Sequence, residues 1–255
     1  MKYVIVAISH GVENNEIPDD YAQPLIDNIR SYLSEEEKAY FITAPINYSK
    51  KTQYRQMQMF RFCDEGLGKQ KLRQMKYTMG GDLIMYQRTK SGVGFLADLH
   101  KQIDSAINVK LKQAIDPTIL LLGHSLGSVI MYNHLFETKL EIKTKGIFIM
   151  GSPFALYSLP YDNWGGLPQD YLIDFMWNFY NPEDWISSQI QDRHPCEEIA
   201  YFCKDFRIQP SLFSLSRWTQ KTMLYGGLKA HQAYWHNKQV AKQIAEKLKT
   251  YINCL

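Results

Sequence analysis

The stretch Pro117–Glu137, PTILLLGHSLGSVIMYNHLFE, decides how the rest of the chain is read. Ile119, Leu120, Leu121 and Leu122 form an unbroken apolar run between Pro117 and Gly123. A strand buried on both faces of a parallel sheet has this pattern, because neither face meets water. Gly123-His124-Ser125-Leu126-Gly127 comes next, and Val129, Ile130, Asn133 and Phe136 then continue at helical spacing. Strand, tight turn and helix around G-x-S-x-G form the context that exposes the central serine as a nucleophile. The turn strains the backbone at Ser125, and Gly123 and Gly127 give strand and helix the room to approach each other. The amide of Leu126, at the start of the helix, is aimed where an oxyanion would form. A plain Gly/Ser-rich connection between two core elements is the alternative, and the flanking strand and helix weigh against it.

Working outward, 255 residues with a hydrophobic fraction of 45% are enough to bury a large core, and one α/β domain over residues 1–255 is expected. The net charge of +3 and a pI near 8.5 are mild, with Lys and Arg scattered among acids. Neither a nucleic-acid partner nor strong membrane electrostatics follows. Lys69, Lys71, Arg73 and Lys76 are the densest basic cluster and read as a solvated helix face. Cys63, Cys196, Cys203 and Cys254 contain no C-x-x-C pair and no metal-ligand spacing with His. No metal, cofactor or disulfide framework is therefore expected, and reduced thiols fit a cytoplasmic protein. The opening run MKYVIVAISHG is too short for a signal peptide, and no later segment reads as an integral membrane span.

The remaining elements alternate. Tyr3–Ile8 reads as the first central strand, ending in Ser9-His10-Gly11. Asp19 or Asp20 is expected to cap a helix through Leu25, Ile29 and Leu33 that ends in the charged run Glu35–Lys38. Tyr40–Ile46 returns as a strand, Ser49–Met79 reads as two helices, and Gly81–Tyr86 as another strand. Leu96, Leu99, Ile103, Ile107 and Leu111 mark a long amphipathic helix. Gly146–Met150 is a buried strand stopped by Gly151-Ser152-Pro153, and Phe154–Gln169 a loop on the carboxyl side of the sheet. This loop and Ser211–Lys229 are the candidates for cover over a site, with no separate lid domain. Ile173–Tyr180 and Ile199–Ile208 are the last expected strands, and Val240, Ile244, Leu248 and Ile252 mark the closing helix. The result is an α/β fold: a mostly parallel central sheet, helices on both faces, and a crevice at the carboxyl strand ends.

A serine hydroxyl is a poor nucleophile until an imidazole takes its proton, and the imidazole needs a carboxylate to hold its tautomer. Of the seven histidines, His10 and His124 lie beside the oxyanion region, and His100 and His134 lie on helices. His231, just before the closing helix, is the expected base, ahead of His194 and His236. Asp184, in the turn Asn181-Pro182-Glu183-Asp184 beyond a strand end, is the expected acid. Asp162, Asp174, Asp192 and Asp205 are its rivals, and a plain turn-forming role for Asp184 is the alternative.

The runs VIVAISHG, GDLIMYQ, PTILLLGHSLGSVIMYNHLFE, FIMGSP, WNFYNPEDW and HQAYW, in this order from residue 3 to residue 235, resemble the α/β-hydrolase superfamily. The likeness is to intracellular lipase-like serine esterases in particular. It implies Ser125 as nucleophile, Asp184 as acid, His231 as base and the amides of Leu126 and Val12 as oxyanion hole. Relatives often carry a further Gly after His-Gly, where this chain has Val12-Glu13-Asn14. His10, Gly11, His124 and Phe154 are the residues expected against the substrate, a small-molecule or lipid ester. Ester hydrolysis through an acyl-enzyme is the implied chemistry. Acyl transfer or thioester hydrolysis on the same triad, and a silent binding module on the same fold, remain as alternatives.

Overall fold

Among the described residues, six parallel strands in the order β2-β1-β3-β4-β5-β6 form a central sheet. They are β1 Val4–Ser9, β2 Phe41–Ile46, β3 Thr118–His124, β4 Thr144–Met150, β5 Phe175–Tyr180 and β6 Cys203–Arg207. The helices are α1 Gln23–Ser31, α2 Glu35–Tyr40, α3 Phe95–Leu111, α4 Leu126–Glu137, α5 Glu197–Phe202 and α6 Lys238–Ile252, with a 3-10 turn at Ala233–His236. The computed structural model describes residues 1–11, 18–47, 95–154, 173–191, 197–209 and 229–254. Among them no helix is long and apolar enough to cross a membrane.

The unbroken apolar runs are explained by two cores, one on each face of the sheet. Val4, Val6, Ile8, Leu120, Leu122, Phe148 and Met150 turn toward α1 and α6. Ala7, Ile119, Leu121, Ile147 and Ile149 turn toward α3 and α4. Successive side chains of a strand point to opposite faces, so a strand covered by helices on both sides offers a polar residue no position that faces water. The helices supply matching faces. Leu99, Ile103 and Ile107 of α3 and Val240, Ile244, Leu248 and Ile252 of α6 are all buried, as their spacing predicts. α4 is buried nearly all round, as expected of a helix in the middle of a layer.

Three boundaries differ from the sequence reading. The residues read as the charged end of one helix, Glu35–Lys38, begin a separate helix, α2. Ser34 caps it through a reciprocal capping box: Glu37 N–H donates to Ser34 Oγ (3.1 Å) and Ser34 N–H to Glu37 Oε2 (2.8 Å). Neither Asp19 nor Asp20 caps α1, whose N-cap is Ala22; Pro24 in its first turn supplies the helical φ, and Asp19 accepts from Asn47 instead. The expected strand over Ile199–Ile208 is half helix. Glu197 and Glu198 favour the start of α5, and pairing with β5 begins only at Cys203.

The two helices read over Ser49–Met79, the strand over Gly81–Tyr86, the loop beyond Phe154, nearly all of Ser211–Lys229, the cluster Lys69–Lys76, Cys63 and Cys196 lie outside the described residues.

Candidate active site

From β1 the chain moves outward to β2, and β3 then pairs on the other side of β1. The direction of sheet growth therefore reverses between β1 and β3, and an open α/β sheet has its crevice outside the carboxyl ends at such a point. The two strands end level, with Ser9 opposite Gly123. The chain segments leaving these two ends meet: a side chain on Gly11 would collide with Ser125, its Cβ lying 2.9 Å from Ser125 Oγ. Gly127 likewise has no room for a side chain against the His10 carbonyl, nor Gly123 against the backbone of Ser128. These three glycines let the loop after β1, the end of β3 and the start of α4 press together around one serine.

Ser125 sits at φ 53° and ψ −130°, between the last residue of β3 and the first of α4. This backbone conformation costs an ordinary residue about 1–3 kcal/mol and persists only where its surroundings hold it. The hold is visible. Ser125 N–H donates to the Met150 carbonyl (2.9 Å), and Ser128 N–H donates to the Ser125 carbonyl (3.0 Å). Behind it, Phe154 N–H donates to Ser152 Oγ (3.1 Å), the Ser152 and Ser128 hydroxyls are 2.5 Å apart, and Ser128 Oγ donates to the Ser125 carbonyl. Sheet order and strained serine between strand and helix together decide the architecture. The fold is that of the α/β hydrolases.

Residues after β5 and β6 in the chain place a carboxylate and an imidazole together at the same rim. Asn181 and Pro182 turn the chain, with Asp184 N–H donating to the Asn181 carbonyl (2.9 Å) and Glu183 N–H to Asn181 Oδ1 (3.0 Å). The Asp184 carboxylate is buried, and three donors converge on it. Ile186 N–H reaches Oδ1 (3.0 Å), while His231 Nδ1–H (2.9 Å) and the Tyr234 hydroxyl (3.1 Å) both reach Oδ2. Burial by itself raises a carboxyl's pKa, but the hydrogen bond and charge of His231, with Ile186 and Tyr234, outweigh it and hold Asp184 below the usual carboxylate range. His231 itself lies in a helical turn at residues 229–232, not in the open loop that its sequence context suggests.

Gly151, directly after β4, sits beside this pair at φ 55°. A Cβ there would lie 2.8 Å from the Tyr234 ring, 3.1 Å from Asp184 Oδ2 and 3.2 Å from His231 Nδ1. Only glycine combines that conformation with that clearance. The pair is also tied to the elbow: His124 Nε2–H donates to the His231 carbonyl (2.7 Å), and the two rings are 4.7 Å apart. His231 is thus docked on the residue immediately before Ser125. Among the described residues Ser125 Oγ makes no hydrogen bond, to His231 or otherwise. The Leu126 amide, at the start of α4, has no intrahelical partner.

Other expected site residues are placed differently. His124, expected against substrate, instead serves as a strut beneath His231, with Tyr234 and Trp235 on its ring. His10 is also buried, its Nδ1–H donating to the Gly11 carbonyl (2.6 Å) and its ring meeting Tyr21 edge-on. Phe154, expected to line the crevice, is fully buried with its ring against Tyr132, so it packs the core on the α3 and α4 side. Gly11 does reach the serine. Val12, Asp162, Asp192 and His194 lie outside the described residues. Asp174 accepts from Tyr251 just before β5, and Asp205 on β6 accepts from Asn178 and from the Ile190 and Gln191 amides. His236 is exposed on the 3-10 turn. Sequence reasoning misses Gly151 and Tyr234 as site residues, although a glycine after a buried strand is a signal that points to the first. Among the described residues no group of three or more His, Cys, Asp or Glu side chains is arranged to hold a metal ion.

Burial of neutral histidines has a measurable consequence. Burial, the main cause in each case, lowers His10 to about 4, His100 to about 4 with help from His134, and His124 to about 3 with help from His231. In the unfolded chain a histidine titrates near about 6.5. Below that pH the unfolded chain binds protons that the native state refuses. Stability is therefore full above about pH 6.5 and falls as the pH drops toward 4, by roughly 1.4 kcal/mol per pH unit for each proton. Asp184, held low, stays ionised through this window and does not offset the loss. Equilibrium urea unfolding at about pH 7.5, 6 and 5 should show a steadily falling midpoint, and a constant midpoint would contradict the buried-neutral assignment.

No protein-family model matches the chain, and no curated relative matches it. Solved structures resemble it at low identity. An acetylxylan esterase is 13% identical with a TM-score of 0.40, over 99% of this chain and 100% of that one. A cutinase-like protein from Cryptococcus sp. is 10% identical with a TM-score of 0.41, over 98% and 94% of the two chains. A thioesterase from the prodiginine biosynthetic pathway of Streptomyces coelicolor is 11% identical with a TM-score of 0.42, over 96% and 85%. The strand order and the backbone at Ser125 define the fold independently of these likenesses.

Proposed function

We propose that this chain is a serine hydrolase that cleaves carboxylic esters, lipid esters among them, through a covalent acyl-enzyme. The observation that carries this reading is the seating of the buried Asp184–His231 pair on His124, next to the strained Ser125. In the first half-reaction His231 takes the hydroxyl proton as Ser125 Oγ attacks the ester carbonyl carbon. The carbonyl oxygen becomes an oxyanion, with the Leu126 amide as one donor and the Val12 amide as the expected second. The intermediate collapses to the acyl-enzyme while His231 returns its proton to the departing alcohol. Water, deprotonated by His231, then attacks the acyl group and restores Ser125. Asp184 holds the Nδ1–H tautomer and stabilises the imidazolium throughout. The hydrogen bond between serine and histidine that this chemistry needs is often absent in a free enzyme and made only in the substrate complex.

A fluorophosphonate probe should acylate the enzyme in the same way and be found by peptide mass spectrometry on Ser125. His231→Ala should slow that labelling by about 10²-fold or more, the usual contribution of a general base. Equal labelling rates would assign the base to another residue. A folded protein that never reacts would favour a silent binding module. p-Nitrophenyl esters of graded chain length, assayed beside acyl-thioesters and alcohol acceptors, identify the acyl donor and acceptor.

A further inference from the structure

Asp184 Oδ2 is shared. The same oxygen accepts His231 Nδ1–H at 2.9 Å and the Tyr234 hydroxyl at 3.1 Å, and both donors come from one short segment of chain. Tyr234 is fully buried, and its hydroxyl accepts the Asn181 N–H (2.9 Å) at the base of the turn that presents Asp184. Ser187 Oγ lies 3.1 Å from the hydroxyl but also 3.1 Å from the Asn181 carbonyl, to which it can donate. The phenol has one proton, and an ionised carboxylate is its strongest available acceptor. Its ring is fixed as well, packed where only a glycine at 151 leaves room.

We propose that Tyr234 is a positioning residue that divides the charge of Asp184: its hydroxyl takes a share of Oδ2 that would otherwise face His231, and so sets how readily the imidazole accepts a proton. This rests on the reading of Ser125, Asp184 and His231 as an acyl-transfer triad. A carboxylate oxygen that accepts a second hydrogen bond has less electron density for the first, so the imidazolium is less stabilised. The Tyr234 bond thus trades basicity at His231 for a fixed carboxylate. Among the described residues, the neighbouring histidines do not confuse the effect. His124 from β3, which touches His231, and His10 from the loop after β1, which acts on His124, are held to about 3 and about 4, and stay neutral over the working range.

The test uses the full chain with Tyr234→Phe and with 3-fluorotyrosine at position 234, and takes two readouts. The acid limb of kcat/KM against pH should move up by about half a pH unit in Tyr234→Phe, a roughly threefold loss of activity below the limb. It should move down with fluorotyrosine, whose more acidic phenol is the stronger donor. By proton NMR, the His231 Nδ1–H resonance should move downfield in Tyr234→Phe and upfield with fluorotyrosine. A role confined to packing predicts superimposable limbs and an unmoved resonance in both variants, and that result would overturn the proposal. Should Tyr234→Phe unfold, the near-isosteric fluorotyrosine protein carries the test alone. The resonance needs no turnover. A wild-type chain without Ser125-dependent activity would therefore sink the triad reading while the resonance still decided whether Tyr234 controls the Asp184–His231 bond.

Discussion

Under the proposed mechanism, replacing Ser125 with Ala should lower ester turnover by about 10⁴-fold or more and leave the protein folded. The expected size reflects loss of the oxygen on which the proposed acyl-enzyme forms, which leaves only the rate supplied by the oxyanion donors and binding. Folding survives because the hydrogen bonds that hold the elbow run through the backbone of residue 125. Its N–H meets the Met150 carbonyl, and its own carbonyl receives Ser128. None of them involves Oγ. Alanine tolerates φ 53° no better than serine does, so the strain is unchanged. Steady-state kinetics with a p-nitrophenyl ester and a thermal melt by circular dichroism check both halves. Turnover within tenfold of wild type in the folded variant would remove Ser125 from the mechanism.

Asp184→Asn is expected to cost about 10³- to 10⁴-fold in kcat, and unlike the serine variant it should also be less stable. Three donors point at this side chain, one at Oδ1 and two at Oδ2. An amide has a single acceptor oxygen. If that oxygen faces His231 and Tyr234, its NH2 confronts the Ile186 N–H; flipped, the NH2 confronts His231 and pushes it into the wrong tautomer. A buried donor left without an acceptor costs about 1–3 kcal/mol, so the melting temperature should fall by several degrees. Turnover and melting temperature measured on one preparation separate the two effects. A variant that kept wild-type kcat would return Asp184 to the status of a turn former, whatever its stability.

Local sequence specified those parts of the molecule whose physics is local. The run Ile119–Leu122 announces a strand covered on both faces, and the two cores in the structure are the reason it can contain no polar residue. Glycines at 123 and 127 announce a close approach, and each indeed has backbone where a side chain would go. Spacing along α6 places Val240, Ile244, Leu248 and Ile252 on one buried face without knowledge of what covers it. The capping box at Ser34 and Glu37 is equally local, but the charged run Glu35–Lys38 reads as an exposed helix end and so hides the start of a new helix.

Only the tertiary structure decided how distant segments share space. Asp184 and His231 are 47 residues apart, and their 2.9 Å contact exists because β4, β5 and β6 pair in order and bring their carboxyl ends to one rim. Hydrophobic periodicity records which face of a strand is buried, but not which strand lies beside it. For the same reason the sequence set His124 and Phe154 near the chemistry and left Tyr234 unremarked inside the run HQAYW, whereas the structure makes them a strut under His231, a core ring against Tyr132, and a second donor to the Asp184 carboxylate. A side chain's type limits what it can do, whereas its partners depend on the order in which the sheet is assembled.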